Sequence, residues 1–340
     1  MSQSTINHSV IRGISSCVPQ NRIENMELEG FSKQELRKVV SMAGVNSRYV
    51  CDENTCASDL CAKAAEKLLQ QLDWDPKSID ALIMVTQSPD YFLPSTACLV
   101  HRHLKLADTC AAFDIGLGCS GYPYGLYLAN TMLNAGGIKR ILLLHGETPS
   151  LFTHEEDRAT ILLFGDAGTA TAIEYQQGAP ESHYILQTDG EGYRDLIVPG
   201  GGYRNRYPEN PIDNYVSMNG SNVFNFTIQR VPQLINDSLE LAKLEASDID
   251  YFIFHQSNRF IMKHLMKRCG LEEEKVPLTL GEFGNTGGPS VPLTICQGLS
   301  LPLESSKKMM LLGYGVGLSW ASAIVDIAAD TFMSHCIYDA

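Results

Sequence analysis

Three residues far apart in the chain carry side chains suited to acyl chemistry. Cys119 lies in Gly116-Leu117-Gly118-Cys119-Ser120-Gly121, between the apolar run 113–115 and a helix-like segment, 120–129. A cysteine at a helix N-terminus is expected to have a lowered pKa, because the helix dipole favours its thiolate. The glycines around it permit a tight turn and close approach of a substrate. His255 ends the apolar run 251–254 and is followed by Gln256-Ser257-Asn258. Asn285 ends the run 277–285, and Thr286-Gly287-Gly288-Pro289 then leads into a helix-like stretch, 290–299. A thiolate, an imidazole and a carboxamide donor at equivalent strand ends form a credible nucleophilic site. Singly, each has a plainer reading: a buried small cysteine, a hydrogen-bonded structural histidine, a helix-capping asparagine. Their coincidence at related places weakens that reading.

Other signals fail to make a site. Gly165-Asp166-Ala167-Gly168 lacks the lysine and spacing of a phosphate loop. Cys51, Cys56 and Cys61 are spaced by five, which spreads them around a helix and away from a common ion. Cys296 falls inside an apparent helix and reads as core. No metal and no cofactor are expected.

The elements that hold the three residues arise from a repeat, offset by roughly 166–170 residues. The run 79–85 matches 249–254, and Gln-Ser follows both. The run 112–119 matches 277–285, and 139–144 matches 307–312. Continuous apolar strands alternating with helical segments imply an α/β sheet covered on both faces, and repetition implies two similar halves packed together. The expected division is 1–178, carrying the cysteine, and 179–340, carrying the histidine and asparagine. Between the repeats, 189–214 reads as a long surface excursion whose tyrosines pack.

The chain has 340 residues, 44% hydrophobic and 19% charged, ample for a large core. Its net charge of -13 argues against nucleic acid as a main partner, since phosphate binding needs a basic surface. No apolar run approaches the roughly 20 residues of a membrane helix, and the first residues do not resemble an export signal. Scattered cysteines read as reduced thiols, so a cytoplasmic protein is expected.

At these motifs the sequence resembles the β-ketoacyl-acyl-carrier-protein synthase III family of the thiolase superfamily. The resemblance rests on 114–121, on His255-Gln256-Ser257-Asn258 and on Gly284-Asn285-Thr286. It extends to Asp157-Arg158-Ala159-Thr160, to Phe164-Gly165-Asp166-Ala167-Gly168 and to the closing 313–320. It implies a thiolase-like α/β fold of two duplicated halves and a homodimer. It also implies a mechanism. Cys119 takes an acyl group from a thioester, and backbone N–H groups of Cys119 and of the Gly315 to Gly317 turn, centred on Val316, hold the oxyanion. Malonyl on acyl carrier protein then loses CO2, while His255 and Asn285 stabilise the enolate that attacks the acyl group.

The resemblance further implies substrate and carrier contacts. Arg158 belongs to one matching motif. Leu93, before Pro94-Ser95, stands where the family closes the far end of the acyl pocket across the dimer. The segment 258–268 is strongly helical, and Arg259, Lys263 and Lys267 recur at four-residue spacing along one face, widened by His264 and Arg268. The plain reading is a solvated helix face; the family uses this helix to dock acidic acyl carrier protein. The chain also departs from the family. Lys38 and Met42 replace the Trp and Arg that hold the adenine of coenzyme A, Phe283 replaces a His, Gly287-Gly288-Pro289 replaces an alanine-rich stretch, and Phe254 replaces a Pro. These departures point to a specialised relative. An acyltransferase acting on an alcohol or amine, and a catalytically silent partner subunit, stay open as alternatives.

Overall fold

Segments apolar at every position become strands that are covered on both faces. The computed structural model describes residues 2–158 and 160–339; Ala159, in the 157–160 motif, lies outside them. The strands begin with β1 (Ser2–Ile6), β2 (Ser9–Val18), β3 (Arg22–Glu24), β4 (Ser47–Tyr49), β5 (Ala81–Val85), β6 (Ala111–Ile115), β7 (Arg140–Glu147) and β8 (Ala167–Tyr175). They continue with β9 (Ser182–Thr188), β10 (Leu196–Ile197), β11 (Ser217–Met218), β12 (Tyr251–Phe254), β13 (Lys307–Gly315), β14 (Ser319–Ile327) and β15 (Phe332–Ile337). The helices are α1 (Lys33–Ala43), α2 (Ala57–Gln71), α3 (Thr96–His103), α4 (Gly121–Ala135), α5 (Gly220–Ala242), α6 (Arg259–Cys269), α7 (Leu280–Phe283) and α8 (Ser290–Gln297).

Two mixed sheets carry the fold. One has the order β15-β2-β8-β7-β5-β6 and the other β1-β9-β14-β13-β12. The repeated segments occupy matching places. β5 runs parallel to β7 with Ala81 opposite Ile141, and β12 runs parallel to β13 with Tyr251 opposite Met309. Each sheet takes an edge strand from the far end of the chain. β1 pairs with β9 in the second sheet, and β15 pairs with β2 in the first.

Alternate residues of each strand face different layers, as the period of two requires. Ile83, Val85, Ile141 and Leu143 of the first sheet meet Ile253, Met309 and Leu311 of the second through α4 (Tyr122, Leu126) and α8 (Val291, Ile295). Leu82, Met84, Leu142 and Leu144 face outward onto α2, where Leu60, Ala64 and Leu68 lie. Phe252, Phe254, Met310 and Leu312 face outward onto α5 and α6 through Val231, Ile235, Met262 and Leu265. The result is five layers, with α4 and α8 sandwiched between the sheets.

Two expectations change. The run 277–285 forms no strand like β6. Leu280–Phe283 is a single helical turn, and Asn285 makes only an isolated parallel bridge to Phe164. Leu280 and Phe283 are three apart and both buried, so a helical turn buries both where a strand would turn them to opposite faces. The excursion 189–214 is present, but Tyr203 and Tyr207 are 77% and 82% exposed, so most of their surface stays unpacked, apart from a ring contact of Tyr203 with Phe92 and the Arg206 guanidinium near both rings.

Candidate active site

Cys119 sits four residues beyond β6, two residues before α4. Asp114 of β6 fixes this segment to its neighbour, accepting the N–H groups of Thr96 and Ala97 at 2.6 and 2.8 Å at the start of α3. A carboxylate there satisfies orphan donors and favours the helix dipole. Opposite Cys119 runs the turn after β13. Gly315 has φ +152°, and a Cβ there would stand 2.7 Å from the Cys119 sulfur, so only glycine allows this approach.

Burial in this crevice raises the Cys119 thiol above its ordinary value, against the pull of the N–H groups of Val316 and of Cys119 itself, which are directed at the sulfur. The expected lowering by the helix dipole is therefore overturned. Desolvation of the thiolate outweighs the oriented N–H groups. Those same N–H groups form a pair pointing at one spot, which is the geometry of an oxyanion hole.

His255 follows β12 directly, and its N–H donates to Leu312 O of β13 at 2.7 Å. Its Nδ1 lies 3.0 Å from the Gly287 carbonyl and 2.9 Å from Ser290 Oγ. The carbonyl can only accept, so Nδ1 carries the ring proton and Nε2 is the free acceptor. Burial lowers the imidazole to about 4, so it is neutral at physiological pH. Tyr314, in the 313–320 motif, donates its hydroxyl to the His255 carbonyl at 3.1 Å and stands edge-on to the ring.

Asn285 is held from the first half of the chain. Its N–H donates to Leu163 O at 2.9 Å and its carbonyl accepts from Gly165 at 3.1 Å, which explains the Phe164-Gly165 part of that motif. The Gly287 N–H donates to Asn285 Oδ1 at 3.0 Å. That bond fixes which end of the amide is nitrogen, and Nδ2, with one long bond of 3.3 Å to Ser257 O, is the end left to donate. Gly287 thus orients both residues, its carbonyl holding His255 and its N–H holding Asn285.

The expected peripheral contacts divide. Lys263, His264, Lys267 and Arg268 are exposed on α6, whereas Arg259 is partly buried against the end of α1, with a weak bond to Gly44 O at 3.5 Å. Arg259 therefore leaves the free stripe. Arg158 pairs with Glu35 of α1 and lies over the Phe31 ring at 4.9 Å. It borders a cleft of about 930 Å³ whose other lining includes Glu24, Glu27, Glu155 and Glu156. Leu93 is 77% exposed beside exposed Tyr91 and Phe92. Sequence reasoning missed Ser290, Tyr314 and the side chains behind the Gly287 turn, His145 and Glu147. The only signal for the last two was a pair of polar residues at alternate positions ending the apolar run 141–144.

A half-buried thiol beneath two converging N–H groups, with an oriented imidazole and carboxamide supplied through the repeated sheet, defines an acyl-transferring condensing enzyme of the thiolase-like fold. Comparison with known proteins narrows the class. Residues 113–190 match the family described as 3-oxoacyl-[acyl-carrier-protein (ACP)] synthase III, and residues 239–327 match its C-terminal part. A Campylobacter jejuni protein provisionally named as a 3-oxoacyl-[acyl-carrier-protein] synthase 3 is 38% identical over 93% of both chains. The β-ketoacyl-[acyl-carrier-protein] synthase III of Neisseria meningitidis is 32% identical over 94% of this chain and 99% of its own. The crystal structure of a 3-oxoacyl-(acyl-carrier protein) synthase from Burkholderia xenovorans superposes with a TM-score of 0.96 at 42% identity, over 99% of each chain. The chain belongs to the 3-oxoacyl-[acyl-carrier-protein] synthase III family.

Proposed function

We propose that Cys119, His255 and Asn285 carry a two-step condensation. In the first step the Cys119 sulfur attacks the carbonyl carbon of an acyl thioester, and its proton passes to Nε2 of His255. A base is needed because burial raises the thiol. The carbonyl oxygen takes the N–H groups of Cys119 and Val316, the carbon–sulfur bond of the donor breaks, and the released thiolate is protonated by solvent. In the second step malonyl-carrier loses CO2. The enolate oxygen is held by Asn285 Nδ2 and by His255, now protonated on both nitrogens. Its carbon attacks the acyl-Cys119 carbonyl and expels the sulfur, which recovers the proton from His255. Each donor of this kind is worth about 3 kcal/mol at the transition state.

The single observation that carries this reading is the Gly287 turn, in which one residue orients both side chains, its C=O holding His255 and its N–H holding Asn285. Simple transfer to an alcohol or amine does not call for the carboxamide. The deciding experiment is intact-mass detection of the acyl-enzyme over a panel of acyl thioesters, with CO2 release from malonyl-carrier measured in parallel. Acylation without CO2 would favour the acyltransferase, and no acylation would favour a silent partner subunit.

We further propose acyl carrier protein as the donor. Lys263, Lys267 and Arg268 offer an exposed basic edge on α6 for an acidic carrier, with Arg259 placing that helix against α1. The surroundings of Arg158 disfavour free coenzyme A thioesters: its charge is paired with Glu35, and the cleft it borders is acidic, so a phosphate gains little there. A homodimer is supported by the exposed apolar residues Tyr91, Phe92 and Leu93, with Phe92 5.9 Å from exposed Tyr203. An uncovered patch of this kind suits a second copy, and Leu93 would then line the partner's acyl pocket. The chain is read as two halves, 1–178 and 179–340. No described helix is long and apolar enough to cross a membrane, in keeping with a cytoplasmic enzyme.

A further inference from the structure

β7 ends in two side chains that the mechanism above does not use. His145 and Glu147 are two residues apart, so they share the face of the strand that looks toward α4 and α8. His145 is fully buried, and neither of its ring nitrogens has a partner among the described residues. Burial, with His255 nearby, lowers it to about 3.

The ring is wedged between two glycines. A Cβ on Gly288 would come within 1.9 Å of the ring Cε1 and 2.3 Å of Nε2, and one on Gly121 within 2.9 Å of Cε1. Gly121 opens α4 just after Cys119, and Gly288 stands between the Gly287 turn and α8. The same Cβ on Gly288 would stand 2.5 Å from the Gly118 carbonyl, so the Cys119 turn and the Gly287–Gly288 turn touch at one backbone point, and beside it one flat ring fills the space between α4 and that turn. Glu147 supports the same turn from beside it. Its Cγ would lie 3.2 Å from a Cβ on Gly287, and its carboxyl is fixed by the Gln87 N–H at 2.9 Å and the Ser88 hydroxyl at 2.7 Å. The absence of a Cβ on both Gly121 and Gly288 leaves a slot that the flat ring occupies.

We propose that His145 is a positioning residue, a flat spacer that sets the distance between Cys119 and the Gly287–Gly288 turn and so aligns His255 and Asn285 for the enolate step. It touches no substrate. The inference rests on the decarboxylative reading. Acylation uses His255 alone of the two turn-held residues, whereas enolate formation uses both, so a displaced turn harms the second step more. A misplacement of about 1 Å can cost on the order of 100-fold.

The test uses the full chain with His145→Ala and His145→Gln. In each sample the acyl-enzyme mass, CO2 release from malonyl-carrier and melting temperature are measured. The expected result for His145→Ala is a fall in CO2 release of roughly 10- to 100-fold, in kcat and not in KM. Acylation should fall by less than about 5-fold, and His145→Gln, a planar side chain, should recover part of the loss. Equal losses in both steps with a lowered melting temperature would make His145 an ordinary core residue and overturn the proposal, as would unchanged CO2 release. If the unmodified enzyme acylates but releases no CO2, the decarboxylative reading falls and this inference with it. If the variants do not fold, nitrogen NMR of the unmodified protein decides: a His145 ring that titrates between pH 5 and 9 is no buried spacer, and one that stays neutral supports the proposal.

Discussion

The two halves meet the active site with different equipment. In the first, β6 leads through a glycine-rich turn into α4, and the residue at the turn is Cys119, the proposed nucleophile. In the second, the corresponding run never becomes a strand. It contracts to the single turn of α7, bridges to Phe164 and leads through the Gly287 turn into α8. The first arrangement places one reactive atom at a helix start, under N–H groups. The second gives up a strand and gains a short turn in which one residue, Gly287, directs two side chains through its N–H and its C=O. A repeat can thus keep its framework, β5 with β7 and β12 with β13, while its two corners at the candidate site diverge, because sheet pairing fixes only where the strand ends lie.

The sharpest way to break this contrast is to remove the nucleophile. Cys119→Ala should abolish the acyl-enzyme mass entirely while leaving the melting temperature near that of the unmodified protein. An acyl adduct that persists at one site would show that the first half does not carry the reactive atom.

His255 is expected to straddle the contrast, since it serves as base in one step and donor in the next. His255→Ala should lower both steps, by about 10²- to 10⁴-fold. It should also change the pH profile. Because burial lowers the imidazole to about 4, its basic form is fully present above that value. The native acylation rate should therefore be flat from about pH 5.5 to 8, falling only in acid. Without the base, acylation depends on free thiolate and should rise about tenfold per pH unit over the same range. A native rate that itself rises tenfold per unit would remove His255 from the first step.

Asn285 should show the second half acting alone. Asn285→Ala is expected to cut CO2 release on the order of 10²- to 10³-fold, as loss of one oriented donor does, and to change acylation by less than tenfold. Comparable losses in both would contradict the division of labour.

The smallest effect lies outside both corners. Reversing the charge of Lys263, Lys267 and Arg268 together should raise KM for carrier substrates several-fold and leave acylation by a small thioester mimic unchanged. Exposed rim charges act mainly on encounter. Added salt should reproduce part of the effect over a Debye length of about 8–10 Å. Normal carrier use by the reversed variant would return α6 to an ordinary solvated face.

Much of this was readable from the sequence wherever burial on both faces leaves a continuous apolar run. The pairs 79–85 with 249–254 and 139–144 with 307–312 became β5, β12, β7 and β13. Cys119, His255 and Asn285 stood out because each is polar at the end of such a run. The strand expected at 277–285 failed for a related reason, since a short apolar segment does not distinguish a strand from one buried helical turn. The direction of the Cys119 shift was not readable either. The helix start is visible in the glycine pattern, but desolvation depends on the Gly315 turn, which arrives from the other half of the chain. His145 passed unnoticed because its partners in space, Gly121 and Gly288, have no side chains to suggest a contact.

The exchange of edge strands between the sheets also affects how the protein is made. β15 completes the first sheet beside β2, and Cys336 bonds to Ser16 O across 320 residues of sequence. A chain growing on the ribosome therefore cannot finish the nucleophile's sheet when the first half emerges, although amino-terminal units ordinarily fold first during synthesis. β2 waits with an unpaired edge, which is an invitation to wrong partners. Closure comes only with residues 332–337. Deleting β15 should therefore leave a chain whose nascent form is captured by chaperones or aggregates, even though Cys119, His255 and Asn285 are all present.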